Sequence, residues 1–130
     1  MVTITEGSFT QTDTDLQMVE MDDNAFLSPE FPFNWMRTNS SGKESFRMII
    51  TCCSLIFVFK DSGSSIFGNA DILVDGKCAK TANPHENNWT HCNPVILFQN
   101  EVSEEHTVEI KMSSDNVDKC FTILGFGYTL

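Results

Sequence analysis

No stretch of the chain repeats apolar residues at helical spacing over ten or more positions, which argues against a helical bundle or any helix-dominated fold. Long hydrophobic runs are missing too. The longest apolar stretch, Leu55 to Phe59, has the length of a strand rather than of a bilayer-crossing helix, so no membrane partner is expected. Basic residues are scarce, 8 against 18 acidic ones, and the formal net charge is −10. Such a charge repels a phosphate backbone, and nucleic acid is not an expected partner. The opening residues MVTITEGSFTQTDTDLQ contain neither a basic n-region nor an apolar h-region, so no signal peptide is read there and no compartment is assigned.

The chemistry-bearing motifs are equally sparse. No serine stands in a Gly-x-Ser-x-Gly elbow, and an autonomous catalytic site is not expected. Five cysteines (Cys52, Cys53, Cys78, Cys92, Cys120) cannot all pair within one chain, and none has CxxC spacing, so reduced, structural thiols are expected. His85, His91 and Cys92 fall short of a zinc site, because adjacent residues 91 and 92 would point to opposite faces of an extended segment and a fourth ligand is lacking. Asp13, Asp15, Asp61 and Asp71 are the acids a structural calcium ion would draw on, but they show no EF-hand spacing. No cofactor is expected.

What the chain does have is a period of two. In EHTVEIKM, His106, Val108, Ile110 and Met112 alternate with Thr107, Glu109 and Lys111, the pattern of a strand with one buried face. SFRMII alternates in the same way, and SLIFVFK is apolar on both faces, as a central strand would be. ADILVDGKCAK places two alternating arms around Asp75-Gly76 and predicts a hairpin with a tight turn. Further strands are expected at Val95 to Gln99 and Cys120 to Thr129, with a weaker one at Leu16 to Met21. The chain of 130 residues suits one domain, residues 1–130, and the spacing of strands predicts an all-β fold: an antiparallel two-sheet β-sandwich, jelly-roll-like. Phe46, Phe57, Phe59, Phe98, Phe121 and Phe126 are assigned to its core. The acidic runs Asp13 to Asp15 and Glu101 to Glu105 read as solvated surface.

Function is sought in the loops. Residues 83–95, NPHENNWTHCNPV, hold two histidines, four asparagines, a tryptophan and a cysteine. A pyranose presents a CH face that stacks on an aromatic ring and hydroxyls that need amide, carboxylate or imidazole partners; being uncharged, it meets no repulsion from an acidic protein. Trp89 is the candidate platform, with Asn87, Asn88, Asn93, His85, Glu86 and His91 as the candidate polar partners. A second cluster, EFPFNWMRT, adds Trp35, Asn34 and Arg37.

The segments ADILVDGKCAKTANPHENNWTHCNPVILF, EHTVEIKM and FTILGFGYT, in this order, resemble the β-sandwich accessory module of bacterial SGNH/GDSL-type esterases, relatives of carbohydrate esterases. VDGK and HTVEI are the most specific pieces, and the match runs from about Phe31 to Thr129. The turn before HTVEI, usually glycine-containing in such modules, is here Val102-Ser103-Glu104-Glu105. The esterase blocks themselves are absent: there is no Gly-Asp-Ser nucleophile block, KDSGSS being a superficial echo, and no Asp-x-x-His pair near the end. The resemblance thus implies a non-catalytic module, a fragment of a larger hydrolase, whose partners are a carbohydrate and the SGNH/GDSL catalytic domain of the same polypeptide. The alternative is a structural module that docks the catalytic domain or mediates self-association without a ligand of its own.

Overall fold

The computed structural model describes residues 2–16, 18–20, 27–29, 31–87 and 89–130. Among the described residues nine strands follow one another: β1 (Val2–Thr5), β2 (Met18–Glu20), β3 (Leu27–Pro29), β4 (Trp35–Arg37), β5 (Phe46–Asp61), β6 (Ala70–Val74), β7 (Lys77–Ala82), β8 (His91–Met112) and β9 (Phe121–Thr129). A single 3₁₀ turn at Ser114–Asn116 is the helical element among the described residues. All strand pairings are antiparallel. The predicted all-β sandwich is what the chain forms.

The layers arise from the two long strands. SFRMII and SLIFVFK, expected as separate strands, run together as the 16-residue β5, and Val95 to Gln99 joins EHTVEIKM in the 22-residue β8. The segment Val102-Ser103-Glu104-Glu105 is therefore strand rather than turn. Pairing between β5 and β8 shifts register at Cys52/Ser54 and again at Leu55/Ile56. Bulges of this kind bend a strand and increase its twist. Before the shift, β5 pairs with β1 and with the second half of β8, which carries on to β6 and β7; after it, β5 pairs with the first half of β8 and with β9, which carries on to β4.

That the strands double back follows from the aromatic rings. Phe46 and Phe57 are separated by eleven residues, which would span about 36 Å if extended. Yet their ring centroids lie 5.8 and 5.7 Å from the same ring, Phe126. The two halves of β5 must face each other across the core. Phe57, Phe59 and Phe121 stack within that space, Trp35 caps Phe46 and Phe126, and Phe98 and Phe126 are partly buried against it.

The hairpin between β6 and β7 turns at Asp75 (φ 52°) and Gly76 (φ 84°), the two positive values that a tight I′-type turn requires. Asp75 also anchors the turn. One carboxylate oxygen accepts from the Thr107 amide at 2.9 Å, and the other lies 2.7 Å from His106 Nδ1. The bond from His106, with that from Thr107 behind it, holds the Asp75 carboxyl below the usual carboxylate range.

The acidic run at the N-terminus is not uniformly solvated. Asp13 is buried, its carboxylate 2.9 Å from the buried ammonium of Lys60 and accepting from Thr122 Oγ1 at 2.7 Å, while Asp15 is exposed. Lys60 points outward from β5, away from the sandwich interior, and the segment carrying Asp13 covers it; the ammonium also sits 4.7 Å over the Phe67 ring. The expected strand at Leu16 to Met21 corresponds to β2 at Met18–Glu20, with residues 17 and 21 outside those described.

Replacing Asp13 with Ala leaves the buried ammonium with only the exposed Asp15 carboxylate, 3.8 Å away, as counter-charge, and urea denaturation is expected to show a loss of about 3 kcal/mol, against less than about 1 kcal/mol for Asp15→Ala. For Asp75 the folded pKa lies below the unfolded one, so its contribution is complete above the ordinary carboxylate range and drains away as pH falls through the lowered folded value. Asn at this position tolerates the positive φ; Asp75→Asn is expected to flatten the acid limb of thermal stability below about pH 4.

Candidate functional site

The loop of residues 83–90 closes one end of the sandwich, between β7 and β8. Its geometry is organised by Asp61, the last residue of β5, whose carboxylate is fully buried. Asp61 pairs across the ladder with His91, and Phe59 with Asn93, so the inward side chains of the two strand ends meet where the core runs out. Asn87 Nδ2 donates to Asp61 Oδ2 at 2.5 Å, Asn93 Nδ2 lies 3.4 Å from both oxygens, and His91 Nε2 is 3.4 Å from Oδ2. A buried carboxylate needs donors, and here the two amides supply them, with the His91 ring beside them.

Above this group Trp89 lies flat on His91, ring centroids 4.3 Å apart and planes 16° from parallel. His91 Nδ1 is 3.2 Å from the Trp89 carbonyl and Nε2 is 3.2 Å from Asn87 Nδ2, a set satisfied with the ring proton on Nδ1. The imidazole is thereby fixed from both sides, and it fixes the indole. Trp89 remains 56% exposed. Glu86 Oε2 joins at the rim, 3.4 Å from Asn93 Nδ2.

His85 has a different position. Its Nδ1 lies 2.9 Å from the Ser62 carbonyl and its Nε2 2.8 Å from the Phe67 carbonyl, so both ring nitrogens are engaged and the side chain ties this loop to residues 62–67. Asn88 lies outside the described residues.

The second sequence cluster lies elsewhere. Trp35, Ile123, Phe59 and Asn93 form one row across four strands, which sets Trp35 about 14 Å from Asn93 at the far edge of the layer. The Trp35 indole packs edge-on against Phe46 at 5.4 Å. Asn34 is buried, accepting from the Asp13 amide and donating to the Asp13 and Phe31 carbonyls. Arg37 is buried as well, its guanidinium donating to the carbonyls of Gly42, Lys119 and Val117. These three side chains have their visible partners within the protein, and none of them joins the Trp89 group.

Asn87, Asn93 and Glu86, named among the polar partners of Trp89, lie together beside it. Asp61, named only among the calcium acids, is the member that alternation and composition did not place here, since it follows an apolar strand and reads as the start of a loop. The acids named for calcium are dispersed: Asp13 is bound to Lys60, and Asp71 Oδ1 accepts from Thr81 and Ser113. Among the described residues no three His, Cys, Asp or Glu side chains gather as a metal site. Behind β8, a void of about 10 Å³ between Lys60, His91, Phe31 and Leu124 has room for about one water. At the exposed indole the site is a platform.

No protein-family model matches the chain, and no curated protein matches it in sequence. Solved structures share its fold. A two-domain esterase, CEX, active on acetylated mannans and co-crystallised with mannopentaose, superposes with a TM-score of 0.66 at 16% identity over 99% of this chain and 34% of its own. A family two carbohydrate esterase from Cellvibrio japonicus gives 0.54 at 18% identity, over 99% of this chain and 33% of that one. A family 35 carbohydrate binding module from an environmental isolate gives 0.57 at 14% identity, over 100% and 88%. At such identities the likeness is one of fold. The chain spans about a third of each esterase and most of the binding module.

Asp61→Ala removes the acceptor shared by Asn87 and Asn93, and is expected to cost about 1–3 kcal/mol in urea denaturation. In a Trp35→Phe background the emission of Trp89 should shift as its stack on His91 is lost, and Asp61→Asn should fall between Ala and the parent.

Proposed function

We propose that this chain is a non-catalytic carbohydrate-binding module, and that Trp89 is its platform. One observation carries the reading: an exposed indole held flat by His91, beside the amides of Asn87 and Asn93 and the carboxylate of Glu86, with Asp61 fixing the two amides from below. The aromatic plane meets the CH face of a sugar, and the rim supplies donors and acceptors for its hydroxyls. Asn87 is exposed, and its side-chain carbonyl is available to a hydroxyl donor. Preorganisation matters here, because an indole already immobilised loses little side-chain entropy when a ring stacks on it. An uncharged glycan approaches a protein of net charge −10 without electrostatic cost.

The fold neighbours support the same direction, since they comprise a carbohydrate binding module and two carbohydrate esterases, one crystallised with mannopentaose. We assign the module to a larger bacterial SGNH/GDSL-type esterase, which the VDGK and HTVEI segments resemble. Mannans are accordingly the first polysaccharides to try.

A second reading, a module that docks its catalytic domain or a second copy of itself, draws on the outer face of the β8–β5–β9 layer. There Ile56 and Ile96 are exposed register partners, and Gly127 lies beside Ile56 without a side chain. Exposed apolar neighbours of this kind mark contact surfaces.

Affinity electrophoresis in gels containing acetylated glucomannan, galactomannan or xylan separates the two. Retardation by at least one polysaccharide is expected, with Trp89→Ala weakening it by about tenfold or more, or about 1.4 kcal/mol. Retardation unchanged in Trp89→Ala would remove the platform. Mobility unaffected by every glycan, together with concentration-dependent self-association in sedimentation, would leave the docking reading.

A further inference from the structure

The eight lysines and arginines of this acidic chain are unevenly placed. Four of them, Arg37, Lys43, Arg47 and Lys111, line two adjoining hollows that share Lys43, Glu44 and Lys111. The smaller is about 100 Å³, walled by Arg37, Lys43, Lys111 and Glu44, with Phe9, Met112 and Val117 as its apolar part. The larger, about 470 Å³ and open, continues past Ser45, Arg47 and Glu109. Both lie where the connection from β4 to β5 passes the end of β8, away from Trp89.

The cations differ in what satisfies them. Arg47 pairs with Glu109 at 3.3 Å, and that carboxylate also accepts from Ser45. Arg37 is buried at 2% exposure with no carboxylate within ion-pair distance among the described residues; three carbonyls take three of its five N–H groups. A guanidinium buried with no carboxylate in contact is unusual; desolvation pulls its pKa below the ordinary value, opposed in part by the more distant Cys120 and Asp118. Lys43 and Lys111 are exposed and pair with no acid among the described residues. Asp71, the cross-strand partner of Lys111, has one oxygen engaged by Thr81 and Ser113. In the smaller hollow three cations thus face one acid, Glu44.

We propose that this hollow binds the oxyanion group, a carboxylate, sulfate or phosphate, of a small ligand, between the Lys43 and Lys111 ammonium groups, with the buried positive charge of Arg37 behind them. Its volume holds a group of that size, two exposed ammonium groups supply charge-assisted donors, and Met112 and Val117 receive an apolar flank. The rest of the ligand extends into the open hollow beside Ser45 and Arg47. Because the net charge of the whole protein opposes an anion at a distance, the affinity is modest and sensitive to salt.

Titration of the isotopically labelled protein with inorganic phosphate, sulfate and citrate, followed by amide shifts, tests this. Saturable shifts at Lys43, Lys111, Met112 and Val117 are expected at millimolar anion, weakened about tenfold or more in Lys43→Gln/Lys111→Gln and unchanged in Lys77→Gln, which lies at the β6–β7 turn. Both replaced lysines are exposed, so the double variant is expected to melt as the parent does. Citrate bound in preference to phosphate and sulfate assigns a carboxylate ligand, and the reverse assigns a phosphate or sulfate ester. Absence of shifts at these residues up to about 20 mM of all three anions, or shifts that persist in the double variant, overturns the proposal.

Discussion

Two strands, β5 and β8, belong to both layers of the sandwich at once, and everything else in the structure is placed by the bend they share. The register shifts between residues 52 and 56 allow a single antiparallel pair to fold over on itself, so that Phe46 and Phe57 reach the same ring of Phe126. The continuous ladder removes the need for separate sheets to find one another, and the aromatic stack between the halves supplies the apolar burial that closes them.

The same pair of strands builds the platform. Because β5 ends and β8 begins at the same edge of the core, Asp61 and His91 arrive opposite each other as the last hydrophobic layer stops. A carboxylate in that position is shielded from water and draws nearby donors to itself, which is how a loop of asparagines becomes an ordered rim around one exposed indole. Lys60, the neighbour of Asp61, leaves the strand on the opposite side and is held by Asp13 and Thr122. Adjacent residues of one strand thus secure two separate coverings, the 83–90 loop on the inside end and the N-terminal segment on the outside.

Much of the fold was legible in the chain. Alternation in EHTVEIKM and SFRMII located buried faces correctly, with Phe46, Met48, Ile50, Val108 and Ile110 all buried. Asp75-Gly76 specified its turn because only a few residue types accept two successive positive φ angles. The site was legible in part: Trp89 and His91 are together, but Asn34 and Arg37 are interior, and Trp35 caps the core about three strand spacings away. Asparagine beside tryptophan looks the same in sequence whether its amide faces solvent or closes a buried turn.

Local composition by itself determined the long central strands, the hairpin and the sandwich class, though not the short strands β1, β3 and β4, because backbone geometry and side-chain alternation act over neighbouring residues. Tertiary structure alone decided that 46–61 and 91–112 are unbroken strands, that Asp13 and Lys60 are buried together, and that Asp61 stands beneath Trp89. Those outcomes depend on which distant residues meet when a strand bends, and charge burial is set by the partner that arrives across 47 positions rather than by the residues alongside.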